Sequence, residues 1–475
     1  MTVDRARLAR VLNPRSIVVV GDKGPMYMWL SNQSEFTGDL YSVQVDEKEI
    51  KGIEEKGITN FTSLDEVPGE VDLVICAVPR NVSPLIIEAA AQKGAAGVHM
   101  FTSGFAETDE PEGIALQERI KEIATESGLA LVGPNCMGIY NRRLGVKFTR
   151  EAAQGDGGSV SVIAQSGTHT IGLTLGLQAS GIAVTRSISI GNALVINEAD
   201  YLEYLIDDDD TKVIVMYLEG AKDGRRLFEL LRSVRGKKPV VLWRGGHARA
   251  GARAIHSHTA SLASSGEVWA GLFQQTGVIP AGTADEVIDT VSALVNTTPS
   301  SKRNLALIAM TGGQSVAISD QFERAGFEVP ELSQRSYDRL AEFFTVIGGS
   351  YRNPFDAAST VGREEENLEK LLDILVDEPA IDGGIAIELR TQRYDEDPKW
   401  LDATLDLLTS YRERTGQPVI TLAPSGGVMS AGGASEAAAK AGKAIAERGF
   451  ALYPSFQRAA EALGRVVDYY AGLED

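Results

Sequence analysis

Short apolar runs of strand length alternate with helical patterns along almost the whole chain. In the first third the runs are Ser16–Val20, Tyr41–Val45, Val71–Val78, Gly97–Phe101 and Ala130–Val132. Stretches of helical period such as Pro84–Lys93 and Gly113–Ser127 separate several of them. Strand and helix patterns in this succession predict a parallel α/β architecture. Two bridges punctuate it, QGDGG at Gln154–Gly158 and NTTPSSKRN at Asn296–Asn304; such polar, turn-forming clusters mark boundaries.

Beyond the first bridge the pattern occurs twice. VIAQSGTHTIGLTLGLQASGIAV (Val162–Val184) aligns without gaps with LIAMTGGQSVAISDQFERAGFEV (Leu307–Val329). Each reads as a buried strand, a polar turn, a helix, a glycine stop and a second strand. LIDDDDTKVIVMYLEG and LVDEPAIDGGIAIELR follow in the same order, as do KKPVVLWRGG and GQPVITLAPSGG. Two copies indicate tandem flavodoxin-like units with parallel sheets, a duplication rather than a solenoid. The expected divisions are 1–150, 157–297 and 302–475.

At 475 residues, 43% hydrophobic and 23% charged, the composition is that of an ordinary globular protein with several domains. No apolar run exceeds strand length and the N-terminus lacks the apolar core of a signal peptide, so no membrane span is expected. The two cysteines, Cys76 and Cys136, form no metal-binding spacing, and the reducing cytoplasm is the expected compartment. A net charge of -19 argues against nucleic acid, whose phosphates most of the surface would repel. Against that acidic background, Arg232–Gly266 carries seven Lys or Arg, no Asp or Glu, and three of the five histidines, His247, His256 and His258. This segment points to a small anionic ligand. The second copy has no histidine at the matching place, which favours a chemical role over a structural one.

Four motifs carry further candidate chemistry. VVVGDKGPMYMWL (Val18–Leu30) runs from a strand through Gly21, Asp22, Lys23 and Gly24 toward a helix, where backbone N–H groups can face a phosphate. It is not a full GxGxxG, Asp22 opposes an anion there, and a plain strand–helix turn is the competing reading. In QSGTHT, Ser166 is a good N-cap that exposes a positive helix end at Gly167, or it is a cap and nothing more. Glu219, after the strand Val213–Leu218, stands where α/β sites assemble. A carboxylate there can fix a histidine tautomer for phosphoryl acceptance, or simply face solvent. LVGPNCMGIYN (Leu131–Asn141) places Asn135 and Cys136 on a turn, with a buried structural cysteine as the default. The run Asp207–Asp210 reads as a solvated turn rather than a cation site.

Taken together, NPRSIVVVG, EVDLVICAVPR, FTSGFAE, GPNCMG, QSGTHT, NEADYLEYL, MYLEG, AGARAIHSHTASLA and ALYPS resemble, in order, the α subunit of the ADP-forming acyl-CoA synthetases, relatives of succinyl-CoA synthetase. The resemblance covers nearly the whole chain. It implies a Rossmann-like CoA-binding domain before the two flavodoxin-like domains. It also implies the reaction acyl-CoA + ADP + phosphate ⇌ carboxylic acid + CoA + ATP through a phosphohistidine. His258 matches the phosphorylated residue, Glu219 the carboxylate that orients it, and Ser166 and Gly167 the helix end that receives it. Gly21, Asp22, Lys23, Gly24, Val78, Pro79, Phe101, Thr102 and Ser103 match coenzyme A positions. Asn135 and Cys136 match positions near the thiol and the acyl substrate, a small carboxylic acid or acyl-CoA.

No metal ligands are implied within the chain. Nothing in it reads as an ATP-grasp module, so the resemblance implies a separate β subunit holding ATP/ADP and Mg2+, in an α2β2 assembly. Two departures stand out: Asp22 in the glycine loop, and Asp46 where the family places a phosphate-binding lysine. They motivate an alternative, a non-catalytic CoA-binding regulatory or scaffold protein. An NAD-dependent dehydrogenase, resting on the first domain alone, is disfavoured by the broken glycine pattern.

Overall fold

The computed structural model describes residues 4–246, 266–361, 365–391, 394, 398–423 and 436–474. They fall into two compact units, Met1–Gln178 with Ala183–Val287, and Ala179–Ile182 with Ile288–Asp475.

In the first unit, β1 (Ser16–Val20), β2 (Asp39–Val43), β3 (Thr59–Phe61), β4 (Leu73–Cys76), β5 (Gly97–Met100) and β6 (Ala130–Val132) form a parallel sheet ordered β3-β2-β1-β4-β5-β6. This is the Rossmann order, and its direction of travel reverses between β1 and β4, leaving a crevice at their carboxyl ends. Every residue of β1 and β4 is buried, as strands covered on both faces must be. The run expected over Tyr41–Val45 ends earlier, because Val45 and Asp46 turn their N–H groups onto Gln44 Oε1 at 2.9 and 3.2 Å. Val71–Val78 likewise shortens to Leu73–Cys76.

The second sheet contains β7 (Gly138–Asn141), β8 (Val160–Ala164), β9 (Val184–Ser189), β10 (Val213–Leu218), β11 (Val240–Arg244) and β12 (Ile279–Ala281), ordered β12-β11-β10-β8-β9-β7. Strands β8 to β12 are parallel in the flavodoxin order, with a switch point between β8 and β10. Strand β7 follows directly on the first sheet and pairs antiparallel with β9, so one stretch of chain is built into both layers. The turn Asp207–Asp210 is solvated at Asp207 and Asp209, as expected, and it also reinforces this join. Asp207 pairs with Arg5 at 2.6 Å, Asp208 with Arg186 at 2.6 Å, and Asp210 with Arg143 at 3.2 Å. Arg186 lies buried in β9, where a guanidinium needs a carboxylate partner.

In the second unit, β13 (Leu305–Ala309), β14 (Phe355–Asp356), β15 (Gly384–Glu388), β16 (Val419–Leu422) and β17 (Leu452–Tyr453) are parallel and ordered β14-β13-β15-β16-β17. This is again the flavodoxin order, as the repeat requires. Alternate residues of β13 feed two cores: Ala306 and Ile308 join Phe355 and Leu371, while Leu305, Leu307 and Ala309 join Phe322 and Val466. No helix among the described residues is long and apolar enough to cross a membrane.

Candidate functional site

The switch point of the second sheet gathers one constellation. Strand β8 delivers Gln165 and Ser166 to the start of the helix Gly167–Ala179, and β10 delivers Glu219 beside them. Gln165 ties the two strand ends together. Its Oε1 accepts from the backbone N–H of Glu219 and, at 3.1 Å, from that of Gly220, and its Nε2 donates to Gly220 O at 2.9 Å. Ser166 Oγ accepts the N–H of His169 at 3.4 Å, so it sits as the cap that its sequence context suggests.

Glu219 is 8% exposed. The Tyr217 hydroxyl donates to its Oε1 at 3.4 Å, and its buried Oε2 has no hydrogen-bond partner among the described residues. Tyr217 is two residues earlier on the same strand face, and the parallel register places it beside Trp243 of β11. The His169 ring packs on both, at 4.4 Å from Tyr217 and 4.6 Å from Trp243. Burial lowers the His169 pKa, with the Glu219 charge partly opposing. Burial, and then the same carboxylate, raise that of Tyr217. A side chain at Gly245 would come within 2.7 Å of the Tyr217 hydroxyl and 3.3 Å of Glu219 Cγ, so this glycine keeps the carboxylate's wall close.

Arg244 ends β11 with its guanidinium 5.7 Å from the Trp269 ring centroid, and burial lowers its pKa. A Cβ on Gly266 would lie 3.6 Å from that guanidinium. His247, His256 and His258, with Arg249 and Arg253, lie outside the described residues.

The first sheet brings the other sequence candidates together at its carboxyl edge. Thr102 Oγ1 donates to Val78 O at 2.7 Å, and Asn135 N donates to Thr102 O at 3.0 Å, linking the loops after β4, β5 and β6. Phe101 is exposed, as are Met26 and Val45 in the loops after β1 and β2, and Pro79 and Ser103 are also open to solvent. Gly21 has φ +81, and a Cβ there would meet Val78 Cγ1 at 2.5 Å, so only glycine lets the two strand ends approach. The rest of this loop is bonded to the chain itself. Asp22, 5% exposed, accepts from Lys23 N at 3.1 Å and Leu30 N at 2.9 Å, and Glu49 Oε2 accepts from Gly24 N at 2.8 Å. Burial raises the Asp22 pKa against the pull of these backbone bonds. Asp46 caps the helix Glu47–Glu54 through Lys48 N.

The turn Gly133–Gly138 joins the two edges. Asn135, at φ 58, donates from Nδ2 to Asn192 Oδ1 at 3.4 Å, and Asn192 Nδ2 donates to Glu107 Oε2 at 2.7 Å. Met137 lies against Gly167, where a Cβ would meet Met137 Cγ at 2.8 Å. The Cys136 thiol points inward, 3% exposed and near Met100 O, and burial pushes its pKa up to about 12. Behind it, His99 Nε2 is 3.1 Å from Cys136 O, and burial holds His99 down to about 4. A cavity of about 280 Å³ lined by Glu107, Lys121, Asn192, Asn197 and Lys222 adjoins this turn.

No role for Gln165, His169, Tyr217, Asn192, Glu107 or Glu49 is legible in the sequence pattern. The first two stood inside QSGTHT, and the strand period placed Tyr217 on the face of Glu219. Nothing in the one-dimensional pattern pairs Glu107 with Asn192 or Glu49 with Gly24.

A Rossmann sheet followed by a flavodoxin sheet, with a buried carboxylate at the second switch point, defines the class, and family models agree. Residues 15–142 match a CoA binding domain and residues 157–294 a succinyl-CoA ligase like flavodoxin domain. The chain is 35% identical over 383 residues to the acetate–CoA ligase (ADP-forming) II subunit alpha of Pyrococcus furiosus, covering 79% of this chain and 81% of that protein. It is 33% identical to the corresponding I subunit alpha of the same organism, over 74% and 76%. Against the acetate–CoA ligase (ADP-forming) I of Archaeoglobus fulgidus it is 30% identical over 78% of this chain, but spans only 55% of that protein. In fold it is similar to the dinucleotide-forming acetyl-coenzyme A synthetase 1 of Ca. Korarchaeum cryptofilum, with a TM-score of 0.81 and 23% identity over 98% and 97% of the two chains. The chain belongs to the family of ADP-forming acyl-CoA ligase alpha subunits, enzymes of the acid–thiol ligase class.

Proposed function

We propose that this chain interconverts acyl-CoA, ADP and phosphate with carboxylic acid, CoA and ATP through a phosphohistidine on His258. The supporting observation is Glu219: a buried carboxylate, fixed at the strand end by Gln165 and Tyr217, with one oxygen that no described residue engages. In this reading phosphate attacks the thioester carbonyl, expelling the CoA thiolate and leaving an acyl phosphate. His258 then attacks phosphorus and releases the carboxylate. Glu219 accepts the N–H of the opposite ring nitrogen and stabilises the imidazolium character of the phosphorylated ring. The N–H groups at the start of the Gly167–Ala179 helix, presented by Ser166 and Gly167, receive the phosphoryl group. Arg244, with Arg249 and Arg253, offsets its charge in transit.

In the same reading residues 1–150 hold CoA through the loops at Gly21–Gly24, Val78–Pro79 and Phe101–Ser103. Residues 157–297 carry the phosphoryl chemistry, and 302–475 form the third domain. Asn135 faces the acyl group, with the neighbouring cavity of about 280 Å³ available for a small acid. A separate ATP-grasp β subunit binds ADP with Mg2+ in an α2β2 cytoplasmic assembly; the relatives named alpha subunits support a separate partner.

Incubating the purified chain with acetyl-CoA and radiolabelled phosphate, with and without a co-expressed β subunit, tests this. The expected result is acid-labile, base-stable phosphate on His258 that is lost in His258→Ala and chased by ADP only when the β subunit is present. Absence of label in the complete assembly would overturn the reading. Asp22 in the Gly21–Gly24 loop, with Glu49 bonded to Gly24 N, favours the second reading, a CoA-binding protein without turnover, which predicts CoA binding and no label.

A further inference from the structure

The loop after β1 is where a Rossmann-type domain offers backbone N–H groups to a ligand's phosphates. Here three of those donors already end on carboxylates of the chain itself: Lys23 N and Leu30 N on Asp22, and Gly24 N on Glu49. The two carboxylates are not equivalent. Asp22 is buried and built into the turn, with its carbonyl held by Gln44 Nε2 at 3.1 Å. Glu49 is half-buried on the helix Glu47–Glu54, and its carboxylate accepts from Gly24 N at 2.8 Å and from the Tyr27 hydroxyl. Rotating it away gives up those two side-chain contacts but breaks no strand pairing. A diphosphate approaching Gly24 therefore meets a fixed negative charge at Asp22 and a movable one at Glu49.

We propose that Glu49 is a specificity-determining residue of the coenzyme site: its carboxylate occupies the Gly24 N–H in place of a ligand phosphate, and a phosphate-bearing coenzyme binds only by displacing it. The proposal rests on the reading of the first domain as a CoA site and deepens it. Like charges at close range repel even near a surface, and the donor that Glu49 takes is unavailable to the ligand until it leaves. Recognition in wild type then leans on the parts of the coenzyme without phosphate, for which exposed Met26, Val45 and Phe101 offer apolar surface in the loops after β1, β2 and β5.

The test is calorimetric titration of the full chain with CoA and, separately, with pantetheine, which has the same thiol arm and no phosphate. Glu49→Gln keeps the shape and removes the charge. Glu47→Gln, in the first turn of the same helix, controls for net charge. The expected result is that E49Q binds CoA about tenfold more tightly while pantetheine affinity stays within about twofold, and that E47Q changes neither. An unchanged or weakened CoA affinity in E49Q, or an equal gain in E47Q, would overturn the proposal. If wild type and both variants bind neither compound, the reading of the first domain as a CoA site fails, and the proposal with it. Circular dichroism and the pantetheine titration establish that E49Q remains folded.

Discussion

Glu219 shows how a residue acquires a task from its surroundings. Three contacts fix it: Gln165 on its backbone, the Tyr217 hydroxyl on one oxygen, and the bare backbone of Gly245 against its methylene. Glu219→Gln keeps that packing but loses the charge, and is expected to slow phosphorylation of His258 by at least about 10²-fold, read by quench-flow with labelled phosphate. Tyr217→Phe removes a single hydrogen bond and should cost only about three- to tenfold in the same assay. Other polar residues near the site are structural. His99 is buried and held at about 4, below its ordinary value near 6.5. Its neutral form is therefore the one compatible with folding. Stability is full above about pH 6.5 and falls as pH drops toward 4, by about 1.4 kcal/mol per pH unit for this one group. Urea midpoints between pH 7 and 4.5 should fall less steeply in His99→Gln. Cys76 and Cys136, both raised to about 12 by burial, should ignore a thiol reagent at pH 8 until the protein is unfolded, when both react.

At the scale of elements, the turn between β6 and β7 carries the most consequence. It leaves the Rossmann sheet, presents Asn135, packs Met137 on the Gly167–Ala179 helix, and re-enters as a strand of the flavodoxin sheet. Its partner is the loop after β9, where Asn192 N and Leu194 N each donate to it at 3.0 Å, to Pro134 O and Gly133 O. Gly191, at φ +52, makes this approach possible, since a Cβ there would lie 2.2 Å from Pro134 O. Gly191→Ala should destabilise the protein by about 2–4 kcal/mol, measured by urea unfolding. Should Asn135 face the substrate as proposed, the same change lowers kcat/KM for the acyl-CoA. Asn192→Ala, which breaks the Glu107–Asn192–Asn135 chain without a backbone clash, separates the two effects: its loss should lie in turnover more than in stability.

At the scale of the whole molecule, the alternation of apolar runs and helical patterns was enough to determine the parallel α/β class, and self-similarity was enough to show that one flavodoxin unit had been copied. Both are properties of local sequence: a strand covered on both faces must be apolar throughout, and a duplicated core keeps its spacing. Ser166, Gly167, Glu219 and Asn135 could be nominated for the same reason, because strand ends and caps are written in consecutive residues. Pairing lies beyond the reach of such patterns. The loan of β7 to the second sheet, the arginine pairing of Asp207–Asp210, the clamp of Gln165 on Glu219 and the reach of Glu49 to Gly24 each join residues distant in sequence. Asp22 illustrates the difference: its charge was evident in the sequence, but only the folded chain shows it spent on the loop's own N–H groups. Local chemistry determines which elements form and what each carries at its ends. Tertiary structure decides which ends meet, because those contacts depend on burial and on bonds that close only once the sheets are assembled.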